Sequence, residues 1–448
     1  MSRRRRGSSP IIPAAAAAVA VALGVGSTAF AADGEPTTAE LRDQIKQLQA
    51  KVDQLEANQN QSNAEVADTV AQIVKDAERR SAFLMQTEGQ NLLAGHENGK
   101  FFLRSADGNY VVNPSFEMQL RNTLNYNSAD GADEWNNGFE VRRMKLRLDG
   151  NAVTPNLTYA FQWEANPNNG SINVEDAWAR YKFADGWFVR GGQFKDPLLH
   201  EQQVSGRRQL TADRSLLSLL LIGDSDNYIQ GVSLIRDDED QALRYELAFT
   251  DGIGDDNTNW LDTPTNDNHW GAAGRAEYFF SGSRKQYDDF TALGNKEDLM
   301  VAGAALDVTQ SGGFTAYTHT VDLQWENTSG VGAYAAFVGR LIDAGDAGDF
   351  YDWGAEIQGS YLFRPKWEGF ARYDFTMFED DQAVLTGAED FFHEFTVGVN
   401  YYYSGHAAKF TFDATWLPNG SPNNQTGLGI TAGDDSQFVV RGQFQLFL

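Results

Sequence analysis

The 448-residue chain contains no cysteine, so disulfides and thiolate metal sites are excluded. Beyond residue 31 it has no uninterrupted apolar run approaching the roughly 20 residues that a spanning helix needs, so any passage through a membrane must use strands. Cations are scarce. Thirty-six Lys and Arg stand against 62 Asp and Glu, a formal charge of −26, which argues against a nucleic-acid partner. The six histidines, His96, His200, His269, His319, His393 and His406, are scattered, and none has the spacing of a two-histidine metal motif. There is no nucleophile elbow, phosphate-binding loop or dinucleotide fingerprint; Gly231-Val232-Ser233-Leu234-Ile235 supplies half of the first. The expectation is a protein that is not an enzyme and holds no metal or cofactor.

What is present begins with a leader. Arg3 to Arg6, an alanine-rich apolar stretch from Ile11 to Val25 and the small-residue site Ala29-Phe30-Ala31 have the layout of a secretory signal peptide over residues 1–31. Its removal takes four arginines and leaves a charge of −30. Residues 32–90 read as a coiled-coil segment and linker. Between residues 38 and 80 there is no Gly, Pro, Trp or Tyr, and Leu41, Ile45, Leu48, Val52 and Leu55 step by four and three, the narrow seam of a self-associating helix.

From Phe101 onward the period becomes two, within a barrel domain expected over residues 91–448. Phe116, Met118, Leu120, Leu124 and Tyr126 are separated by Glu117, Gln119, Arg121, Thr123 and Asn125. Phe161 and Trp163 alternate with Gln162 and Glu164, and Phe410, Phe412, Ala414 and Trp416 alternate with Lys409, Thr411, Asp413 and Thr415. Short turns such as Phe363-Arg364-Pro365-Lys366 alternate with long polar connections such as Asp251 to His269 and Glu379 to Asp390. Aromatic-rich alternation with short turns at one end and long loops at the other predicts an all-β transmembrane barrel of about sixteen antiparallel strands, preceded by the α-helical coiled-coil segment. The last segment, Phe438 to Leu448, alternates to the chain's final residue and reads as the closing strand.

Two basic stretches are candidates for a solute pathway. In "FEVRRMKLRLDG", Arg143, Lys145 and Arg147 share one face, opposite Met144, Leu146 and Leu148, with neighbours about 6.6 Å apart along the strand. Phe139 and Val141 have the other parity, which predicts a bulge near Arg142. The alternative is that these cations neutralise carboxylates such as Asp149 and Asp176. The second stretch, residues 195–226, does not alternate. It carries Lys195, Arg207, Arg208 and Arg214 and an apolar run, Leu216 to Ile222, that would be buried by folding into the barrel and narrowing it. The acidic runs Asp237-Asp238-Glu239-Asp240 and Glu379-Asp380-Asp381 read as solvated loops, with divalent bridging to lipopolysaccharide as the sharper option.

"FEVRRMKLRLDG", "GGQFKDPLLHEQ" followed by "ADRSLL", "FTDGIGD" and "VGVNYYYSGHAAKF" together resemble the landmarks of the phosphate-selective porin O and P family, over about residues 100–448. That resemblance implies a sixteen-stranded trimeric barrel with Arg142, Arg143 and Arg147 on the wall and Lys195 and Arg214 around a constricting loop. A central lysine cluster like the family's is not identifiable, and "GDSDNYIQGV" is acidic where a basic residue is expected. The expected function is an outer-membrane porin passing small anions by diffusion, phosphate or polyphosphate among them. A general non-selective pore is the alternative, as is a structural anchor tied to the cell wall through a periplasmic coil.

Overall fold

A computed structural model describes residues 46, 49–51, 92–97, 99–128, 134–166, 170–223, 227–253, 268–345, 348–379 and 390–448. The chain divides into two units, Met1–Leu84 and Met85–Leu448. In the first unit, Lys46, Gln49, Ala50 and Lys51 are helical and exposed. The proposed leader and the seam residues Leu41, Ile45, Leu48, Val52 and Leu55 lie outside the described residues.

The second unit opens with a hairpin of β1 (Leu92–Glu97) and β2 (Lys100–Ser105), and Leu103 and Arg104 pair with Val112 and Val111 of the next strand. Sixteen strands then follow: β3 (Val111–Asn127), β4 (Glu134–Ala152), β5 (Thr154–Ala165), β6 (Ile172–Ala184), β7 (Trp187–Lys195), β8 (Tyr228–Arg236), β9 (Leu243–Thr250), β10 (Asn268–Ser281), β11 (Leu299–Ser311), β12 (Thr315–Glu326), β13 (Val331–Asp343), β14 (Asp349–Arg364), β15 (Trp367–Met377), β16 (Phe391–Ser404), β17 (Ala408–Leu417) and β18 (Gln437–Phe447). Each pairs antiparallel with the next, and β18 pairs with β3 from Gln437↔Asn127 to Phe447↔Glu117, so the sheet closes. Beyond the last register pair, Phe116 and Leu448 exchange both backbone hydrogen bonds, at 2.9 and 3.1 Å. Closure leaves no strand edge in this ring, which is what makes a sheet tolerable in lipid. No described helix is long and apolar enough to cross a membrane.

The period-two pattern is realised on the wall. In β17, Phe410, Phe412 and Trp416 are exposed on the outer surface, while Lys409, Thr411, Asp413 and Thr415 are buried inside. In β16, Phe395 and Val397 face out and Glu394, Thr396 and Asn400 face in. The predicted bulge is present: Gln119 pairs with Arg143 and Leu120 with Val141, leaving Arg142 as the extra residue. It resets the parity of β4, so that Phe139 and Val141 above it and Met144 and Leu146 below it all face outward.

The inward polar residues are buried because the lumen is filled from both ends. The described part of the connection between β7 and β8, residues 196–223, folds inside. Its short helix Leu216–Leu221 lies against β13, β14 and β15, and Leu198, Leu199 and Leu216 to Ile222 form the core of a buried cluster with Tyr334, Phe370 and Phe392. Five leucines buried at roughly 2 kcal/mol each contribute on the order of 10 kcal/mol, an upper bound, to holding this connection in place. The connection between β10 and β11, residues 282–298, enters from the short-turn end. Tyr287 from this segment stacks face to face on His200, with ring centroids 3.7 Å apart, and accepts a 2.9 Å hydrogen bond from Arg275.

Candidate functional site: the cation-lined cavity

Asp213 is the anchor of the inward connection. Its Oδ1 accepts from Arg143 Nη2 at 2.8 Å, and its Oδ2 accepts from Arg142 Nε at 2.9 Å and Arg121 Nη2 at 3.1 Å. Two adjacent residues of one strand reach the same carboxylate because the bulge turns both inward. Burial alone would raise the Asp213 pKa, but the guanidinium groups of Arg142, Arg143 and Arg121 outweigh it and hold the carboxyl well below its usual range. Ala212 N donates to Asp413 Oδ2 at 2.8 Å, and Asp413 Oδ1 accepts from Arg441 at 2.7 Å.

Past this anchor the chain crosses to the opposite wall. Leu216 N donates to Glu394 Oε2 at 2.8 Å and Leu217 N to Asp374 Oδ1 at 3.1 Å. Arg372 donates to Thr211 Oγ1 at 2.8 Å and to the backbone oxygens of Asp213 and Arg214 at 3.1 and 3.2 Å. Ser215 caps the helix, accepting from Ser218 N, and donates to Glu201 Oε2 at 2.7 Å. The segment is therefore fixed at both walls by charge-assisted hydrogen bonds, the stronger kind.

Between this segment and the wall made by β3 to β7 lies a cavity of about 280 Å³. Six cationic side chains line it, Lys100, Lys145, Arg147, Lys195, Arg207 and Arg214, against three carboxylates, Glu117, Asp149 and Asp176. The two stretches singled out from sequence thus meet in one place: Lys145 and Arg147 come from β4, Lys195 from the end of β7, and Arg207 and Arg214 from the inward connection. Arg143 lies beside Gly206 of its lining, with its guanidinium carbon 3.1 Å from where a β-carbon there would stand, so a larger residue would have to push it aside by a few tenths of an ångström. Arg142 is held at Asp213, and Arg208 turns away from the cavity to Asp288, at 3.1 Å.

The cations are not bare. Lys145 is hydrogen-bonded to Glu175 and lies 3.4 Å from Glu164, and Arg147 bonds Asp176 and lies 3.6 Å from Asp149. Both carboxylates named from the sequence as neutralising partners, Asp149 and Asp176, do engage Arg147. Lys195 donates to Gln202 O at 2.8 Å, and Arg214 to Val204 O at 3.0 Å and Glu201 O at 3.2 Å. Arg207 stacks 3.9 Å over the Phe447 ring and has Glu117 at 4.0 Å. Burial lowers the Arg207 pKa to about 10, with Arg208 nearby adding to the effect, so it remains protonated at neutral pH.

Sequence reasoning missed several parts of this arrangement. Arg121 was read only as the polar partner in an alternating strand, and Asp213 only as an acid beside Arg214. The inward fold of 282–298 had no sequence signal, because short-turn connections are ordinarily solvated. Lys100, from the hairpin before the barrel, was also missed. The adjacent His393 and Glu394 diverge: His393 lies beside the Tyr373 ring, while Glu394 bonds Arg372 inside.

Among solved structures, the chain is similar to an anion-selective porin from Comamonas acidovorans, with 14% identity over 75% of this chain and 99% of that one and a TM-score of 0.52. It is likewise similar to OmpF of Salmonella typhi in complex with daunomycin, with 15% identity over 76% of this chain and 98% of that one and a TM-score of 0.52. At such identities the likeness establishes the porin fold. No curated protein sequence matches the chain. Residues 116–297, which hold β4, the inward connection and nearly every cation of the cavity, match the sequence model of the phosphate-selective porin O and P family.

Proposed function

We propose that the protein is an outer-membrane porin through which small anions diffuse past Lys145, Arg147, Lys195, Arg207 and Arg214. The observation that carries this reading is the cavity in which six cations face three carboxylates, inside a chain whose net charge is −26. Charges in exposed loops are screened over a Debye length of about 8 Å at physiological salt, whereas those in a narrow lumen act with less screening. Guanidinium and ammonium groups replace part of an oxyanion's hydration, and the partner carboxylates keep the hold weak enough for release.

Phosphate and polyphosphate are the solutes that the family match favours. A trimer, and a periplasmic coil over residues 38–80 that assembles it or meets the cell wall, complete the proposal. Reversal potential across a planar bilayer under a potassium chloride gradient tests the central claim: a potential of the sign set by chloride is expected, and one set by potassium overturns it. The engagement of Lys145 and Arg147 by carboxylates favours a second reading, a general pore, for which the same measurement would give a potential near zero.

A further inference from the structure

On the other side of the inward connection lies a second cavity, of about 370 Å³, with different chemistry. Its apolar lining comes from the end of the inward helix, Leu220, Leu221 and Ile222, and from Phe314, Ile342 and Phe378 at the long-loop end of the barrel. Two charged residues also line it, Asp307 of β11 and Arg340 of β13. It shares no lining residue with the cation-lined cavity.

The two charges stand in one row of the sheet. Asp307 pairs in register with Thr318, and Thr318 with Arg340, so they are two strands and about 10 Å apart at Cα. Each keeps a buried polar atom with no hydrogen-bond partner among the described residues. Asp307, fully buried, bonds Thr309 through Oδ1 at 2.8 Å and leaves Oδ2 unpartnered. Arg340 bonds Asp352 through Nη2 at 2.8 Å and leaves Nε unpartnered. Burying an acceptor and a donor unsatisfied is unfavourable, and native structures seldom keep such atoms without a use. Asp196, at the start of the inward connection, is a second buried carboxyl near Asp307: burial and then the Asp307 charge push its pKa well up, and neither of its oxygens has a partner among the described residues.

We propose that this cavity binds a small zwitterion with an apolar body, of the class of an α-amino acid with an apolar side chain. Its ammonium meets Asp307 Oδ2, its carboxylate meets Arg340 Nε across Thr318, and its side chain lies against Leu220, Ile222, Phe314 and Phe378. An anion such as phosphate is disfavoured here by Asp307 and the apolar walls, so the two cavities take different solutes.

The test is isothermal titration of the purified full-length protein in detergent with L-phenylalanine, phenethylamine, which lacks the carboxylate, and phenylpropionate, which lacks the ammonium. Saturable binding of phenylalanine is expected, at least tenfold tighter than either analogue. Asp307→Asn should weaken phenylalanine at least tenfold and leave phenylpropionate unchanged. Phe314→Ser, on the short connection between β11 and β12, should weaken phenylalanine and both analogues alike, and it keeps the test open should Asp307→Asn fail to fold. Absence of saturable phenylalanine binding, equal binding of either analogue, or full-strength phenylalanine binding by Asp307→Asn or Phe314→Ser would overturn the assignment.

Discussion

Replacing Asp213 by Asn removes one charge while keeping the shape of the side chain, and its effects can be followed in two measurements. Three guanidinium groups converge on this carboxylate at 2.8 to 3.1 Å, so the cluster carries two net positive charges in the native protein and three in the variant. Removing one partner of a buried ion pair costs about 3 to 5 kcal/mol. Ala212 N on Asp413, Leu216 N on Glu394 and the buried leucines remain, with leucine burial on the order of 10 kcal/mol, so the connection should stay inside with a looser tip. One elementary charge acting about 10 Å from a passing ion is worth roughly 0.4 kcal/mol at a dielectric constant near 80 and about 1.7 kcal/mol near 20. The charge favours chloride and disfavours potassium by that amount each, so the chloride-to-potassium permeability ratio should rise by about fourfold at the weaker limit and more than about a hundredfold at the stronger. Reversal potentials of wild type and Asp213→Asn in the same salt gradient give this ratio, and urea unfolding followed by gel mobility gives the stability. An unchanged ratio, or a shift towards potassium with the barrel intact, would refute the claim that charge on this connection governs selectivity.

Arg207→Glu places an acid beside Glu117 in the cavity and should lower chloride preference and conductance without unfolding the barrel, read in the same bilayer assay. Acid should loosen the inward connection: burial lowers the His200 pKa from 6.5 to about 4, so the stability tied to its neutral form is full above pH 6.5 and falls by about 3 kcal/mol as pH drops towards 4. Asp213, also depressed, extends the loss below its ordinary 3.8. Open-channel current noise should therefore grow between pH 6.5 and 4, and a His200→Gln channel with the same pH dependence would contradict this. Phe412→Arg, on the lipid-facing side of β17, should cost about 2 to 4 kcal/mol and reduce assembly, whereas Gln162→Arg on the inner face of β5 should assemble; equal tolerance defeats the facing assignment. A peptide of residues 38–80 should be helical and self-associate with rising concentration in analytical ultracentrifugation, and a monomeric peptide would remove the coil as an assembly device.

The wall was legible because lipid imposes a local rule. Each residue of β17 must face either hydrocarbon or lumen, so Phe410, Phe412 and Trp416 announce themselves without reference to any other strand. The bulge at Arg142 was legible for the same reason, as a break in parity. The inward connection showed itself through a misfit: Leu216 to Ile222 is too apolar for an exposed loop. Which groups it would meet was not legible, because Asp213 lies more than seventy residues from Arg142 and the Asp413 that holds Ala212 is two hundred residues away. No periodicity carries information over such separations. The register of a closed sheet does, but only once every strand has been placed.

The pairing of the wall cations changes how an acidic chain can favour anions. A bare row of arginines would bind phosphate too tightly to release it, and it would repel itself when empty. In this barrel the wall cations are set against carboxylates: Arg147 against Asp176 and Asp149, Lys145 against Glu175 and Glu164. Lys195 and Arg214 are also held in place, by the backbone oxygens of Gln202, Val204 and Glu201. Neutral acceptors position a cation without cancelling it. Arg207 is also held in position, 3.9 Å over the Phe447 ring with Glu117 at 4.0 Å. Cations positioned in this way can attract an oxyanion without trapping it, which is the balance the proposed anion pathway needs.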